Sequence, residues 1–332
     1  MDAIVEQLVH SAEPAIRYKT RVDLLGEDPT LPDIQRLRQE IKQCARVRQL
    51  LSERQPDGTL PHHPYAKWTG AHWVLVMLAE LKYPAGEKEL LPLREQVYGW
   101  LFSKARLQTI ERYMIAGRTR MCASMEGNAT FALLQLGLAD ERVRLLVERL
   151  MAWQWADGGW NCDKKPEAHV SSFMETLIPL RALAHYSQMT GNAQAHTACL
   201  HAAELFLQRR LFKRLSDGTV IAEDFLRLRY PCYWHYDILW GLKVMAEVGV
   251  LADTRCDEAL EVLTSKRLVD GGFPAEKKHY QVTNPLLSGY SLVDWGGTSL
   301  KRMNPFVTVE ALSLLKRSSA GGSLSSSARA KS

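Results

Sequence analysis

The sequence predicts an all-α protein made of two layers of helices, and three observations carry that prediction. First, strand signals are nearly absent: no run of alternating β-branched residues flanks an Asn-Gly or Asp-Gly hairpin turn. Second, the helical segments are of two kinds. Residues 71–81, 129–138 and 306–315 are apolar almost all round, whereas 93–105, 141–153 and 257–266 are strongly amphipathic. A helix apolar on every side must be buried, and an amphipathic one covers it from outside. Third, Asp-Gly turns recur at Asp57-Gly58, Asp157-Gly158, Asp217-Gly218 and Asp270-Gly271, spaced 100, 60 and 53 residues apart. Glycine just past a helix supplies the left-handed cap without steric cost. The first interval holds two units with a degenerate junction at 103–106. A period of roughly 50–60 residues per helix pair therefore predicts about 5–6 pairs, with 306–315 left to close a ring around the inner layer.

Taken in order, residues 1–54 form an opening helical segment packing on the rest. Within it, 11–25 and 32–54 read as helices, the second carrying Ile34, Leu37, Ile41 and Ala45 at helical spacing. Residues 55–317 hold the repeating helix pairs. Residues 318–332 are a Ser/Gly/Ala-rich stretch of low complexity, expected to be a flexible tail.

The 332 residues, 46% apolar and 24% charged, have the balance of a globular chain with a sizeable core. No stretch approaches the roughly 18 apolar residues that span a bilayer. The N-terminus lacks the basic start and apolar run of a signal peptide, so a cytoplasmic location is expected. The net charge of +5, from 42 basic and 37 acidic residues, is spread over interleaved patterns such as Arg36-Leu37-Arg38-Gln39-Glu40. That pattern marks solvated helix faces and excludes a dedicated nucleic-acid surface. The six cysteines contain no Cys-x-x-Cys pair, which excludes zinc ribbons and thioredoxin-like motifs. Walker A, Gly-x-Gly-x-x-Gly and Gly-x-Ser-x-Gly patterns are missing too, against nucleotide loops and serine-hydrolase elbows.

The segment Gln154-Trp155-Ala156-Asp157-Gly158-Gly159-Trp160 resembles the QW-type repeat of squalene cyclases and protein prenyltransferase β-subunits. Residues 266–273, ending Asp270-Gly271-Gly272-Phe273, resemble a weaker copy, and the other two Asp-Gly turns degenerate ones. The resemblance spans roughly 50–315 and fits single-domain bacterial proteins with prenyltransferase/squalene-oxidase repeats. It implies an (α/α) toroid of the terpenoid cyclase/protein prenyltransferase type around a central cavity. The Asp-x-Asp-Asp and Asp-Asp-x-x-Asp motifs of terpene chemistry do not occur here, so the repeat implies fold rather than activity.

In a closed double layer the inner helices run parallel, and their N-terminal ends meet at one rim. That geometry gathers residues 67–73, 122–128, 169–175 and 232–237, where polar and titratable groups precede apolar helix bodies. Two readings of this cluster stand side by side. One is a zinc site of Cys162, Cys232 and His235 with Cys122 or His169 as fourth ligand, since zinc takes thiolate and imidazole tetrahedrally. Prenyltransferases place Asp, Cys and His at such a rim, and lanthionine cyclases two Cys and a His; only the residue types match here. In the other reading each Cys is a small apolar core residue and each His bonds nearby backbone. A metal-free route uses Glu126, Glu175 and Asp237, with His235 and His169, for acid–base work. Desolvation raises a carboxyl pKa and a helix N-terminus lowers it; the plain alternative is a helix cap. Trp68, His72, Trp73, Tyr233, Trp234 and Tyr236 are candidate lining residues for cation–π contact, or else core packing. Arg118, Arg120 and Lys67 are candidate anchors for an anionic substrate group at the same rim.

The expected function is that of a toroid enzyme turning over a small apolar or isoprenoid-like molecule in the central cavity by acid–base or zinc-assisted chemistry. The alternatives are a zinc-dependent hydrolase or transferase acting on a non-isoprenoid small molecule, and a non-catalytic ligand-binding protein.

Overall fold

The computed structural model describes residues 2–329, with side chains through residue 319. Fourteen α-helices dominate the described residues: α1 (Ala3–Val9), α2 (Pro14–Lys19), α3 (Pro32–Glu40), α4 (Ala45–Leu50), α5 (Ala71–Glu80), α6 (Leu91–Leu101), α7 (Lys104–Arg112), α8 (Ala123–Gln135), α9 (Glu141–Trp153), α10 (Phe173–Thr190), α11 (Ala193–Gln208), α12 (Ile238–Val248), α13 (Asp257–Ser265) and α14 (Pro305–Arg329). A small antiparallel hairpin, β1 (Met114–Ile115) and β2 (Arg118–Thr119), pairs Met114 with Thr119. Its turn uses Ala116 and Gly117, both at positive φ. An alanine in that conformation carries no turn signal, which hides the hairpin from sequence. No helix among the described residues is long and apolar enough to cross a membrane.

The two helix classes are borne out in burial. Every residue of α5 is buried, and α8 and α10 are buried over most of their length. By contrast α9 buries one stripe, Val143, Leu146, Val147, Leu150 and Trp153, the spacing of a single helix face. The buried helices pack in succession: α5 on α8, α8 on α10, α10 on α12, and α12 on α14, with α14 also against α2. Helices α6, α9, α11 and α13 pack on α5, α8, α10 and α12 respectively.

Three predicted helices are broken. Residues 11–25 become α2 followed by a π-helical turn, 20–25, that ends at left-handed Gly26. Residues 32–54 divide into α3, a 3₁₀ turn and α4, because Cys44 is extended and its Sγ accepts the Val47 amide as a cap. Likewise 93–105 divides where the Ser103 hydroxyl caps α7. The segment expected to be a flexible tail is drawn as the last turns of α14 as far as Arg329, and residues 330–332 lie outside the described residues.

Three of the four Asp-Gly turns share one backbone pattern, and the fourth, at Asp217-Gly218, is one residue wider. Gly158 N donates to Trp155 O and Trp155 N to Gly159 O; Gly271 N donates to Leu268 O and Leu268 N to Gly272 O. The identity extends into the next buried helix. Trp160 N donates to Thr176 Oγ1 at 3.1 Å in α10, and Phe273 N donates to Thr308 Oγ1 at 2.9 Å in α14. Gly158 is required twice over, by its φ of +91° and because an added Cβ would lie 2.4 Å from His201 O.

Six charges, three buried and three half-buried, tie the inner helices together away from their N-terminal ends. Lys243 Nζ lies 3.0 Å from both Glu80 and Glu310. Arg181 pairs with Glu247 at 2.6 Å and also contacts Glu80, and Lys19 pairs with Glu310. Three cations face three carboxylates, so the set is neutral. Lys19 belongs to α2, Glu80 to α5, Arg181 to α10, Lys243 and Glu247 to α12, and Glu310 to α14.

Candidate metal and acid–base site

Helices α8 and α10 approach closely where Gly127 faces Pro179; a Cβ on Gly127 would sit 2.9 Å from Pro179 N. This close crossing aligns the starts of the two helices. Cys122 immediately precedes α8, Glu175 lies in the first turn of α10, and Cys162 follows Trp160 in the segment between α9 and α10. The sulfurs of Cys122 and Cys162 and a carboxylate oxygen of Glu175 all lie within 4.8 Å of one another. The Cys162 thiol donates to Glu175 Oε1 at 3.8 Å, and the Ser124 amide donates to Oε2 at 3.0 Å. Burial pushes the Glu175 carboxyl above its ordinary value, and the Ser124 amide opposes that shift. The neighbouring sulfurs act on each other in opposite senses: Cys162, and then burial, push the Cys122 thiol up, and Cys122 pulls the Cys162 thiol down.

Arg120 holds this arrangement from behind. Its guanidinium is fully buried and donates to the carbonyls of Asp163, Pro166 and Ala168 at 2.7, 3.0 and 3.1 Å. It also lies 5.1 Å over the Trp155 ring, tying the segment after Cys162 to the Asp157-Gly158 turn.

Glu126, one turn into α8, is fully buried and pairs with Arg106 Nη2 at 2.9 and 3.0 Å. Burial raises the Glu126 carboxyl, with Arg106 pulling the other way. The Arg106 guanidinium stacks 5.5 Å over Trp100. His72, packed against Tyr65, Trp73 and Trp100, is 1% exposed, and neither ring nitrogen has a hydrogen-bond partner. Burial, then the Arg106 charge, lowers its pKa to about 3, so the ring is neutral. Tyr65 senses Glu175, Cys122, Arg106 and Cys162 together, and burial raises its phenol. These groups form one polar nest in an aromatic wall.

The remaining candidates form a second cluster before α12. Asp237 caps α12, accepting from Trp240 N at 2.8 Å and Arg229 N at 2.9 Å, and burial raises its carboxyl to about 6 against Arg229. Cys232 donates to Asp237 at 3.7 Å. His235 stacks on His279 at 3.3 Å between ring centroids, and burial lowers its pKa to about 3. Trp68 stacks on Tyr233 at 3.7 Å, and Trp234 lies on His235. The Tyr236 hydroxyl is spent on Leu211 O at 2.6 Å, a packing role.

The predicted ligand set is therefore corrected. Cys162 and Cys122 meet, but Cys232 and His235 belong to the other cluster, because Cys232 points at Asp237 and the Arg229 carbonyl, and His235 Nδ1 faces Cys232 O. Among the described residues only Cys122, Cys162 and Glu175 bring three ligand atoms together. His169 is exposed and hydrogen-bonds the Glu167 carbonyl, outside both clusters. Glu175, expected as an acid, stands where a third ligand would. Sequence reasoning missed Arg106, Tyr65 and Arg120's three-carbonyl clamp; no local spacing links Arg106 to a carboxylate 20 residues away.

The enclosed space between α5, α12 and α14 has a volume of about 30 Å³, lined by Glu80, Tyr230, Tyr233, Trp240, Lys243 and Glu310 among others. Small-molecule pockets usually measure roughly 300–1,000 Å³. With these aromatic side chains in place the space holds about one water, not an isoprenoid chain. No protein-family model, curated protein or solved structure matches the chain.

Proposed function

We propose that the chain is an (α/α) toroid enzyme that performs zinc-assisted hydrolysis or group transfer on a small polar molecule at the rim formed by α5, α8 and α10. The observation that carries the reading is the meeting of Cys122, Cys162 and Glu175, residues 53 apart in sequence at most, with all three ligand atoms within 4.8 Å. Closure of the toroid is supported by the contact of α14 with α2 and by the Lys19–Glu310 and Lys243–Glu310 pairs. The six free cysteines fit a reducing, cytoplasmic setting.

Two thiolates and a carboxylate suit zinc, and three protein ligands leave a fourth position for water or substrate. The bound ion supplies Lewis acidity and lowers the pKa of a coordinated water. The chain's own residues do the rest. Glu126, held by Arg106, is a buried carboxyl whose pKa burial raises, and it is the candidate to take up and release a proton. Neutral His72 offers an unpartnered nitrogen, and Tyr65, Trp73 and Trp100 exclude water from it. The small volume of the interior space favours a polar substrate at the rim over an isoprenoid buried in the centre.

Metal content of the purified full-length protein tests this. The expected result is about one zinc per chain, lost in Cys162→Ser and Cys122→Ser and retained in Cys232→Ser. Absence of zinc from the folded, reduced protein, or its loss only on changing Cys232, would overturn the reading.

A further inference from the structure

Four of the six cysteines, Cys44, Cys199, Cys232 and Cys256, are buried, and none of these four lies in the only three-ligand grouping among the described residues. Cys122 and Cys162 differ. Both are half-buried at the rim and their sulfurs lie within 4.8 Å. A disulfide needs a sulfur separation of about 2.05 Å, so closing the pair takes a shift of at most about 2.8 Å. Cys122 is anchored at the start of α8, while Cys162 lies in a segment, 161–172, without regular secondary structure, whose residues 163–167 are exposed.

We propose that Cys122 and Cys162 are a redox-active dithiol that small-molecule disulfides oxidise to an intramolecular disulfide. The inference shares residues with the zinc site but does not depend on the metal. Cys162, in the segment between α9 and α10, loses its proton to water and attacks one sulfur of a disulfide RS–SR as thiolate. Its S–S bond breaks, RS⁻ leaves and takes up a proton, and a mixed disulfide remains on Cys162. Cys122 then gives its thiol proton to water, attacks the Cys162 sulfur and expels the second RS⁻, which is protonated in turn. The protein loses two hydrogens and the oxidant is reduced to two thiols. Glu175 stands beside both sulfurs. The disulfide closes the chain between residues 122 and 162 across the α8–α10 crossing and removes both sulfurs from metal binding.

The test uses the full-length protein, reduced and treated with a chelator, then exposed to oxidised glutathione. The expected result is a fall from six titratable thiols to four, a mass loss of two hydrogens, and one cross-linked peptide pair carrying Cys122 and Cys162. In Cys122→Ser, one glutathionyl group stays on Cys162. Retention of all six thiols, cross-linking of any other pair, or a glutathionyl group that persists on wild-type Cys162 overturns the inference. A parallel arm starts from the zinc-loaded protein. Zinc bound and lost on Cys162→Ser, with no disulfide formed in the chelator-treated arm, upholds the zinc reading and defeats this one. Disulfide formation in a protein that binds no zinc does the reverse.

Discussion

Asp237 and the half-buried His235 and His279 pull stability in opposite directions with pH. Burial holds the Asp237 carboxyl at about 6, above its ordinary 3.8. The folded chain therefore binds this proton more tightly than the unfolded chain. Its stabilising contribution is complete below about pH 4 and lost as pH rises through about 6. The shift corresponds to roughly 3 kcal/mol. His235 and His279 run the other way: burial lowers them to about 3 and about 4, below the ordinary 6.5. Their contribution is present above about pH 6.5 and lost as pH falls through those values. Comparing Asp237→Asn with the wild type by urea unfolding separates the two. The variant should gain about 2–3 kcal/mol relative to the wild type between about pH 4 and about pH 7, and parallel pH profiles would refute the account of this carboxyl. At this scale the sequence was partly legible. Glu126, Glu175 and Asp237 stand out because each begins an otherwise apolar helix. The Glu126–Arg106 pair was hidden because it depends on how α7 packs against α8, and the split between Cys162 and Cys232 because each lies in a loop whose side-chain directions no periodicity sets.

Helices α10 and α14 begin alike, and the repeat makes a quantitative statement about both. Thr176 and Thr308 each receive the amide of the aromatic residue that ends an Asp-Gly-Gly turn. Replacing either by Val leaves a buried amide unpaired, at a cost of about 1–3 kcal/mol. Thr176→Val and Thr308→Val should therefore lower the unfolding free energy by similar amounts in denaturant titration. Very unequal losses would mean that the turns are not equivalent. The Asp-Gly-Gly-aromatic motif was readable at once, but its threonine partner was not. The partner lies 16 residues downstream in one copy and 35 in the other, because residues 277–303 form a long excursion before α14. Gly127 is the matching constraint at the α8–α10 crossing. Gly127→Ala would press a methyl onto Pro179 and Ile178, destabilising by roughly 1–3 kcal/mol and separating Cys122 from Glu175. Reduced zinc affinity along with reduced stability is the expected outcome, read by a competition titration with a chromophoric chelator.

The whole molecule is organised by three polar centres in an apolar body: one at the starts of α8 and α10, one joining α2, α5, α10, α12 and α14, and one before α12. The second is a neutral set of buried ion pairs in which Arg181 holds carboxylates from two helices. The paired charges lower the Glu80 carboxyl to about 2 and the Glu310 carboxyl well below the ordinary range. Removing one member strands its partners, so Arg181→Ala should cost about 3–5 kcal/mol by chemical unfolding; a loss within experimental error would show that these charges do not hold the helices together. The helical class and the buried-versus-covering order of the helices were legible in hydrophobic pattern alone. The ion network was not, since Glu80 or Lys243 in an apolar helix reads only as an interruption. The central claim is that the rim gathers Cys122, Cys162 and Glu175 around zinc. Anomalous diffraction at the zinc absorption edge, on crystals of the full-length protein, tests it most directly. The account predicts one peak about 2.3 Å from both cysteine sulfurs and about 2.0–2.2 Å from a Glu175 oxygen. No peak at that position, or a peak between Cys232 and His235 instead, would contradict it.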